Sequence, residues 1–159
     1  MKLPDANVLL YALDDTSPRH PAAKAWLDET LSGSEEVGFA WVVLLAVLRL
    51  TTKPSVFAHP LRTAEAFDII DDWLAQPCAL VLNPTIRHAA LMRGFLTAAG
   101  TAGNLTTDAH LAALSLEYGA EICSYDADFS RFPGVQLINP DTDLLRIGPN
   151  TLAHASTLP

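Results

Sequence analysis

Three aspartates that lie far apart in the chain could assemble one acidic site. Asp5 ends a very short predicted strand, Asp108 lies in the first turn of a predicted helix, and Asp126 follows a strand predicted over residues 121–125. About a dozen helical residues run roughly 18 Å in one direction, and about five strand residues run roughly 17 Å back. Because the two lengths match, we expect the carboxylates of Asp108 and Asp126 to be neighbours.

Asp5 is expected at the same edge of the sheet, because it also follows the carboxyl end of a strand. In open parallel sheets, functional groups gather in the crevice beyond these strand ends, where the strand order reverses. Two like charges about 4 Å apart repel each other by about 4 kcal/mol at an effective dielectric constant near 20. Three converging carboxylates therefore favour a divalent cation, and we predict a metal site formed by Asp5, Asp108 and Asp126.

The helix that carries Asp108 has recognisable boundaries in the sequence. Thr106 and Thr107 are candidate capping residues, and Gly119 is a typical stop signal. Leu111 and Leu114 lie on one face at helical spacing, which predicts that this face is buried.

Strands and helices alternate along the rest of the chain. Further strands are predicted over residues 35–39, 78–82 and 134–138, and helices are predicted from residue 21, over residues 40–50 and 61–75, and from residue 83. This alternation is typical of an α/β sandwich with a mostly parallel sheet.

Several side chains are assigned to the core of this fold. Residues 78–82 form a continuous apolar run suited to a buried strand, and apolar residues fall on one face of each predicted helix; they include Trp26, Trp41, Phe67, Trp73 and Ile86. Pro4 is harder to place, since proline cannot donate a hydrogen bond within a central strand. It is tolerated if the first strand makes its last hydrogen bond before Pro4.

The length of 159 residues suits one domain with a sizeable core, which we place at residues 1–140. Residues 141–159 are interpreted as a tail with little to bury, and we expect its last ten residues to be mobile. The longest apolar run, Phe39 to Leu48, is too short to cross a membrane, and no export signal is visible. We therefore expect a cytoplasmic protein that does not contact membranes. The two cysteines, Cys78 and Cys123, lack the spacing of metal ligands and are interpreted as reduced core residues.

The net charge of −8 opposes binding of nucleic acid through the overall field of the protein. A cation in the acidic cleft, a basic face formed by some of the ten Lys and Arg residues, or a second subunit or basic partner could supply the missing attraction.

Three motifs, taken together, resemble those of the PIN-domain ribonucleases. They are Asp-Ala-Asn-Val-Leu-Leu-Tyr-Ala from Asp5, Asp-Ala-His-Leu-Ala-Ala-Leu from Asp108, and Ser-Tyr-Asp-Ala-Asp-Phe from Ser124. Within that family the chain looks like a VapC toxin of a type II toxin–antitoxin pair. The resemblance implies a PIN-like three-layer α/β/α sandwich with a four- to five-stranded sheet. It also implies an endoribonuclease dependent on Mg²⁺ or Mn²⁺, a homodimer, an RNA substrate and a cognate VapB-type antitoxin that blocks the site.

One position departs from the family pattern. The family commonly places a glutamate in the helix after the second strand, three residues before an arginine, and here that position is Ala46, followed by Arg49. Weak or lost catalysis, a cation held by more water, and a replacement acid from Glu35 or Glu36 are the possible consequences. Mg²⁺ often keeps several waters and needs only one or two protein carboxylates. We therefore expect reduced metal affinity rather than none.

The resulting hypothesis is hydrolysis of an RNA phosphodiester by metal-activated water. Asp5 and Asp108 hold the cation, and Asp126 binds it through water or orients the nucleophile. The residues expected to support them are Asp128, Asn7, Asn104, Ser124 and Arg49.

Structural explanations compete for several of these residues. Asp108 could simply favour its helix dipole, Asp5 and Asp128 could form turns, and Asn7 and Asn104 could be local caps. Arg49 could be a solvated charge at the border of the cleft, and His110 could face the solvent or the edge of the core.

Two other functions remain open at this stage. A phosphoryl-transfer domain also places aspartates at strand ends, but it needs a phosphate-binding Lys, Ser or Thr, and the third strand ends in Asn83-Pro84. A binding module that has lost activity through Ala46 would act only by pairing with its antitoxin.

Overall fold

Five short parallel strands form the central sheet of this computed structural model, which describes residues 1–147. The strands are β1 (Lys2–Pro4), β2 (Val37–Ala40), β3 (Ala79–Leu82), β4 (Glu121–Cys123) and β5 (Gln136–Ile138), in the order β3-β2-β1-β4-β5. All neighbouring strands are parallel, which confirms the predicted sheet. The expected mobile end of the tail lies outside the described residues.

Seven helices flank this sheet within the described part of the chain. They are α1 (Ala6–Leu13), α2 (His20–Ser32), α3 (Trp41–Thr51), α4 (Thr63–Leu74), α5 (His88–Ala99), α6 (Thr106–Tyr118) and α7 (Pro140–Ile147). Helices α1, α2, α3, α4 and α7 pack in series, whereas α5 packs against α6. The result is the expected α/β/α sandwich. No helix in residues 1–147 is both long and apolar enough to cross a membrane.

The central strand β1 accommodates Pro4 because its ladder to β2 has already ended. Lys2 pairs with Val37 of β2, and its backbone N–H donates to the carbonyl of Glu36 at 2.8 Å. Backbone N–H groups alternate sides along a strand, so the missing N–H of Pro4 faces β2, where no ladder partner follows. On the other side, the N–H of Asp5 donates to the carbonyl of Cys123 in β4 at 2.9 Å.

The strand order reverses at β1, since β2 lies on one side of it and β4 on the other. Asp5 follows β1, and the segment that contains Ser124 and Asp126 follows β4. The carboxyl ends of β1 and β4 are therefore the topological switch point at which α/β proteins form their sites.

Several apolar residues assigned to the core are exposed instead. Trp26 is fully buried and Trp73 largely so, but the exposed fractions of Trp41, Phe67 and Ile86 are 49%, 45% and 100%. The prediction of a fully buried third strand was also wrong, because β3 is the edge strand, and Leu80 and Val81 are exposed. Apolar composition alone could not distinguish an edge strand from a central one.

The termini of α6 show which local signals were correct. Gly119 ends the helix in the left-handed conformation at φ 64°, as predicted. The threonine caps were wrong, because Leu105 precedes the helix and provides no side-chain cap. The hydroxyl of Thr106 instead donates backwards to the carbonyl of Gly103 at 3.0 Å.

Residues 140–147 bury more than the sequence suggested. Asp143 of α7 is 2% exposed and accepts a hydrogen bond from the indole N–H of Trp26 at 3.0 Å. Its carboxylate also lies 3.2 Å from Nζ of the buried Lys2, which contacts Glu121 at 2.7 Å. The division into a domain over residues 1–140 and a tail stays a prediction, but the first part of that tail is a packed helix.

We expect Asp143→Ala to lower the free energy of unfolding by about 3 kcal/mol, because it leaves buried Lys2 and Trp26 groups without their partner. Asp28→Ala is the matched control, since it removes an exposed ion pair with Lys24 and should cost about 0.5 kcal/mol or less. Urea denaturation of both variants measures the difference. Equal costs for the two substitutions would contradict a stabilising role for the buried carboxylate.

Candidate active site

Asp5 is held at the junction between β1 and α1. It is the N-terminal cap of α1, and its Oδ1 accepts a hydrogen bond from the backbone N–H of Ala6 at 2.6 Å. Its Oδ2 accepts hydrogen bonds from Asn7 Nδ2 at 2.7 Å and from the hydroxyl of Ser124 at 2.8 Å. The carboxylate is thus fixed by donors from both strands of the switch point.

Asn7 and Ser124 tie these two strand ends together. Asn7 Nδ2 donates to Ser124 Oγ at 2.9 Å, while its Oδ1 accepts from the backbone N–H of Tyr125 at 3.2 Å. Ser124 is 2% exposed and also accepts a hydrogen bond from the backbone N–H of Asp126 at 2.9 Å. Asn7 therefore bridges β1 to the end of β4, rather than acting as the local cap that was considered for it.

Asp126 opens a short turn beyond β4. Its Oδ1 accepts from the backbone N–H of Asp128 at 2.8 Å, which caps a 3-10 turn over Ala127–Arg131. Asp128 in turn lies 3.3 Å from the guanidinium of Arg131. Asp126 is exposed at the sheet edge, so its second oxygen can contact solvent or a ligand.

Asp108 lies in the first turn of α6 and experiences the charges of the other aspartates. Burial, followed by the negative charges of Asp5, Asp126 and Asp128, raises the pKa of Asp108 to about 6. Burial also raises the pKa of Asp5, with a contribution from Asp126, although the hydrogen bonds from Ser124 and Ala6 act in the opposite direction. The strand before Asp126 is shorter than predicted, since β4 covers Glu121–Cys123 rather than residues 121–125, so the lengths of α6 and β4 do not match. The assembly of Asp5, Asp108 and Asp126 into one site stays a prediction.

These groups fit a hard divalent cation chemically, because their donor atoms are carboxylate oxygens and their negative charge is uncompensated. Within residues 1–147, however, no three His, Cys, Asp or Glu side chains lie close enough together to hold a metal ion. A Mg²⁺ or Mn²⁺ ion bound here would contact one or two carboxylates at a time and keep several waters. The three-aspartate metal site stays a prediction.

Ala46 lies beside the helix turn that carries Asp108. Together with Val42, Leu45 and Arg49 of α3 and Thr107 of α6, it lines a cavity of about 270 Å³. A longer acidic side chain at this position would extend into the space next to the first turn of α6. Arg49 lines the same cavity, and its supporting role stays a prediction.

The idea that Glu35 or Glu36 replaces the missing acid was wrong. Both residues precede β2, at the amino edge of the sheet, and Glu35 lies 2.7 Å from the N-terminal ammonium group. The aspartates lie at the carboxyl edge, so these glutamates are separated from them by the length of the strands.

Two other predicted residues lie apart from the hydrogen-bond network of Asp5. Asn104 is exposed in a 3-10 turn over Gly103–Leu105, and its supporting role stays a prediction. His110 points towards α5, where its Nδ1 lies 2.8 Å from Nε2 of His88. His88 in turn contacts Glu117 at 2.8 Å. His110 therefore links α6 to α5.

Residues from α7 and Asn139 before it also line a cavity beside Asp126, although the sequence pattern indicated only a tail there. A second cavity beside Asp126 is lined in part by Asn139, Thr142 and Arg146. A signal was present, since Asp141 and Asp143 lie in the first turn of α7 and Arg146 in its last. That charge order complements a helix dipole and is typical of a helix.

Comparison with known proteins identifies the same fold. The PIN domain family profile matches residues 2–135. "Ribonuclease VapC37" of Mycobacterium tuberculosis is 53% identical over 140 residues, which cover 88% of this chain and 97% of that protein. "Ribonuclease VapC33" of the same organism is 41% identical over 140 residues, which cover 88% of this chain and 98% of that protein.

Solved structures of lower identity share the architecture. The crystal structure of VapBC2 from Rickettsia felis, bound to a DNA fragment from its promoter, matches with a TM-score of 0.63 at 15% identity, covering 87% of this chain and 97% of that chain. VapBC-1 from nontypeable Haemophilus influenzae matches with a TM-score of 0.62 at 13% identity, with the same coverage of both chains. At these identities the similarity concerns the fold alone.

The raised pKa of Asp108 predicts a pH-dependent stability in the absence of metal. Between the unfolded value of about 3.9 and the folded value of about 6, the folded chain binds more protons than the unfolded chain. The contribution of Asp108 to the free energy of unfolding therefore falls as the pH rises through this window. Relative to wild type, Asp108→Asn should become more stable by about 1 kcal/mol between pH 4 and pH 7, after allowance for solvent screening.

Chemical denaturation in EDTA at the two pH values measures this change. Asp71→Asn, an exposed substitution on α4, serves as the control and should show no such trend. A pH-independent difference between Asp108→Asn and wild type would contradict the electrostatic coupling.

Proposed function

Because the chain belongs to the PIN domain family and, within it, to the VapC group, we propose that it is a metal-dependent endoribonuclease and the toxin of a type II toxin–antitoxin system. The observation that supports this proposal is the position of Asp5 and Asp126 at the carboxyl ends of β1 and β4, the switch point of a PIN fold, with Asp108 in the first turn of α6. The names of the VapC37 and VapC33 relatives support RNA as the substrate.

Asp5 and Asp108 are the proposed cation ligands, and Asp126 would bind the cation through water or orient the attacking water. A bound Mg²⁺ or Mn²⁺ ion would supply an acidified water and neutralise charge that develops on the phosphate. Asn7 and Ser124 donate hydrogen bonds to Oδ2 of Asp5. The orientation of the carboxylate is therefore fixed before a ligand binds. This fixed orientation reduces the cost of assembling the site.

The reaction adds one water across a phosphodiester bond. The water oxygen forms a new bond to phosphorus, the bond between phosphorus and the leaving oxygen breaks, and the proton lost by the water is balanced by the one gained by the leaving group. Asp126 is exposed and can hydrogen-bond the attacking water. Asp128 would support Asp126 through their shared turn.

The partners follow from the same family. The matching VapBC structures are complexes, which supports a VapB-type antitoxin as the partner that blocks this site. The acidic aspartate cluster favours a basic side chain from such a partner. We also propose a homodimer that acts in the cytoplasm, where both RNA and antitoxin are made.

Ala46 favours a second candidate, a PIN module with weakened catalysis that acts mainly by binding its antitoxin. The cavity beside Ala46 and Thr107 lacks the acid that the family commonly places there. The phosphoryl-transfer alternative has no comparable support. Asn83 and Pro84 follow β3, and the next hydroxyl, on Thr85, is bound to Glu117.

We expect purified, antitoxin-free protein to cleave single-stranded RNA with Mg²⁺ or Mn²⁺ and to lose this activity in EDTA. Asp5→Asn should lower kcat/KM by about 100-fold or more, because it removes a charge from the cation site and replaces one accepting oxygen by an NH₂ group while keeping the side-chain size. Asp71→Asn is the control for the loss of a surface charge. Cleavage by Asp5→Asn at the wild-type rate would exclude this site.

Ala46→Glu separates the enzyme from the weakened module. The added carboxylate should lower the Mg²⁺ concentration needed for half-maximal cleavage by about tenfold, since Mg²⁺ affinity rises with the number of charged ligands. Ala46→Gln, of nearly the same size but uncharged, is the matched control. An inert wild type with an active Ala46→Glu variant would favour the weakened module, whereas equal metal dependence in all three proteins would contradict the proposed place of residue 46 beside the cation.

A further inference from the structure

A second cavity lies directly beside Asp126, at the carboxyl ends of β4 and β5. Its volume is about 310 Å³, and α7 forms one wall. The polar part of its lining consists of Asp126 itself and of Ser124, Asn139, Thr142 and Arg146, and the remainder is mainly apolar. This volume is at the lower end of the range for small-ligand pockets and suits a single nucleotide unit.

Arg146 places a positive charge where an RNA strand would need one. The chain carries a net charge of −8, and the aspartate cluster next to the cavity repels phosphate. Within residues 1–147, no carboxylate lies within ion-pair distance of Arg146. Its guanidinium group can therefore bind a phosphate, for which its planar fork of donors is well suited.

Asn139 adds a directed amide donor to the same wall. Its Oδ1 accepts a hydrogen bond from the backbone N–H of Asp141 at 2.9 Å, which leaves the NH₂ group on the other side of the amide. The hydroxyl of Thr142 donates to the carbonyl of Asn139 at 3.0 Å, so its oxygen lone pairs can still accept. The wall thus offers both donors and acceptors, as recognition of a ribose or a base edge requires.

The position of this wall is fixed by a buried interaction. Asp143, three residues before Arg146, is anchored to Trp26 and Lys2. Tyr125 beside the site donates a hydrogen bond from its hydroxyl to Asp141 at 2.9 Å. The helix that carries Arg146 is therefore attached to the core and to the site on two sides.

From these observations we propose that the cavity between α7 and Asp126 binds the nucleotide next to the scissile phosphodiester, with Arg146 on its phosphate. The proposal rests on the proposed function, since it names where the RNA substrate of that site lies. The residues responsible follow residue 135, where the match to the PIN domain profile ends.

The test compares RNA binding and cleavage by wild type, Arg146→Ala and Arg93→Ala. Arg93 is the matched control, because it is an exposed arginine of α5 that lines a different cavity. Binding of a fluorescein-labelled single-stranded RNA octamer is measured in EDTA by anisotropy over a range of salt concentrations. Cleavage of the same octamer is measured separately with Mg²⁺.

We expect Arg146→Ala to weaken binding about tenfold and to reduce the salt slope by about one. Arg93→Ala should bind and cleave within about twofold of wild type. In a second measurement, amide chemical shifts of Ala127, Asn139 and Thr142 should move when wild type is titrated with adenosine 3′,5′-bisphosphate, and these changes should be lost in Arg146→Ala.

Equal affinities and salt slopes for Arg146→Ala and Arg93→Ala would overturn the nucleotide site, as would shift changes confined to other parts of the protein. Cleavage by wild type would in that case leave the proposed ribonuclease function intact. Conversely, Arg146-dependent binding without any cleavage of the octamer would support the nucleotide site and count against the ribonuclease function.

Discussion

Repulsion between carboxylates is the constraint on which the architecture of the site depends. The fold brings Asp5 and Asp126 to one edge of the sheet, and burial together with the negative charges of Asp5, Asp126 and Asp128 raises the pKa of Asp108. Carboxylates that repel each other stay at one edge of the sheet only if other groups hold them there. The shared hydrogen bonds of Asn7 and Ser124 provide this hold, because they join the ends of two strands while solvating the Asp5 carboxylate.

The two edges of the sheet differ in whether their charged groups form ion pairs. At the amino edge, Lys2 is neutralised by Glu121 and Asp143, and the N-terminal ammonium is paired with Glu35. At the carboxyl edge, Asp5 accepts hydrogen bonds from Ala6, Asn7 and Ser124 but forms no ion pair within residues 1–147. Paired charges stabilise the fold, whereas unpaired charges are available for a ligand. The contrast between the two edges explains why the functional groups of this PIN-family chain belong to strand ends rather than to the core.

The sequence predicted the fold well, because the alternation of strands and helices follows from periodicity. It also predicted that Asp5 and Asp126 follow neighbouring parallel strands. What depends on the position of an element within the layers could not be predicted. Leu80 and Val81 have the composition of a buried strand but lie in an edge strand. Trp41 is exposed in the first turn of α3, and Ile86 is exposed in the turn before α5.

Contacts between distant parts of the chain were also beyond local patterns. Nothing near Asp143 in the sequence indicates that its carboxylate would be buried against Trp26 and Lys2, so α7 resembled a polar tail. The bridging role of Asn7 likewise depends on Ser124 and Tyr125, which the sequence places far away. Both cases involve polar groups whose partners are set by tertiary structure.

The hydrogen bond between Asp5 and Ser124 spans 119 residues of the chain, and this has a consequence for synthesis. Strand β1 occupies the centre of the sheet, yet its neighbour β4 follows it in the chain by more than a hundred residues. A nascent chain that has not reached β4 holds Asp5 with its local donors Ala6 and Asn7 but without Ser124, and native contacts between distant segments form late. The hydrogen bonds around Asp5 are therefore complete only after β4 has been synthesised and has joined the sheet.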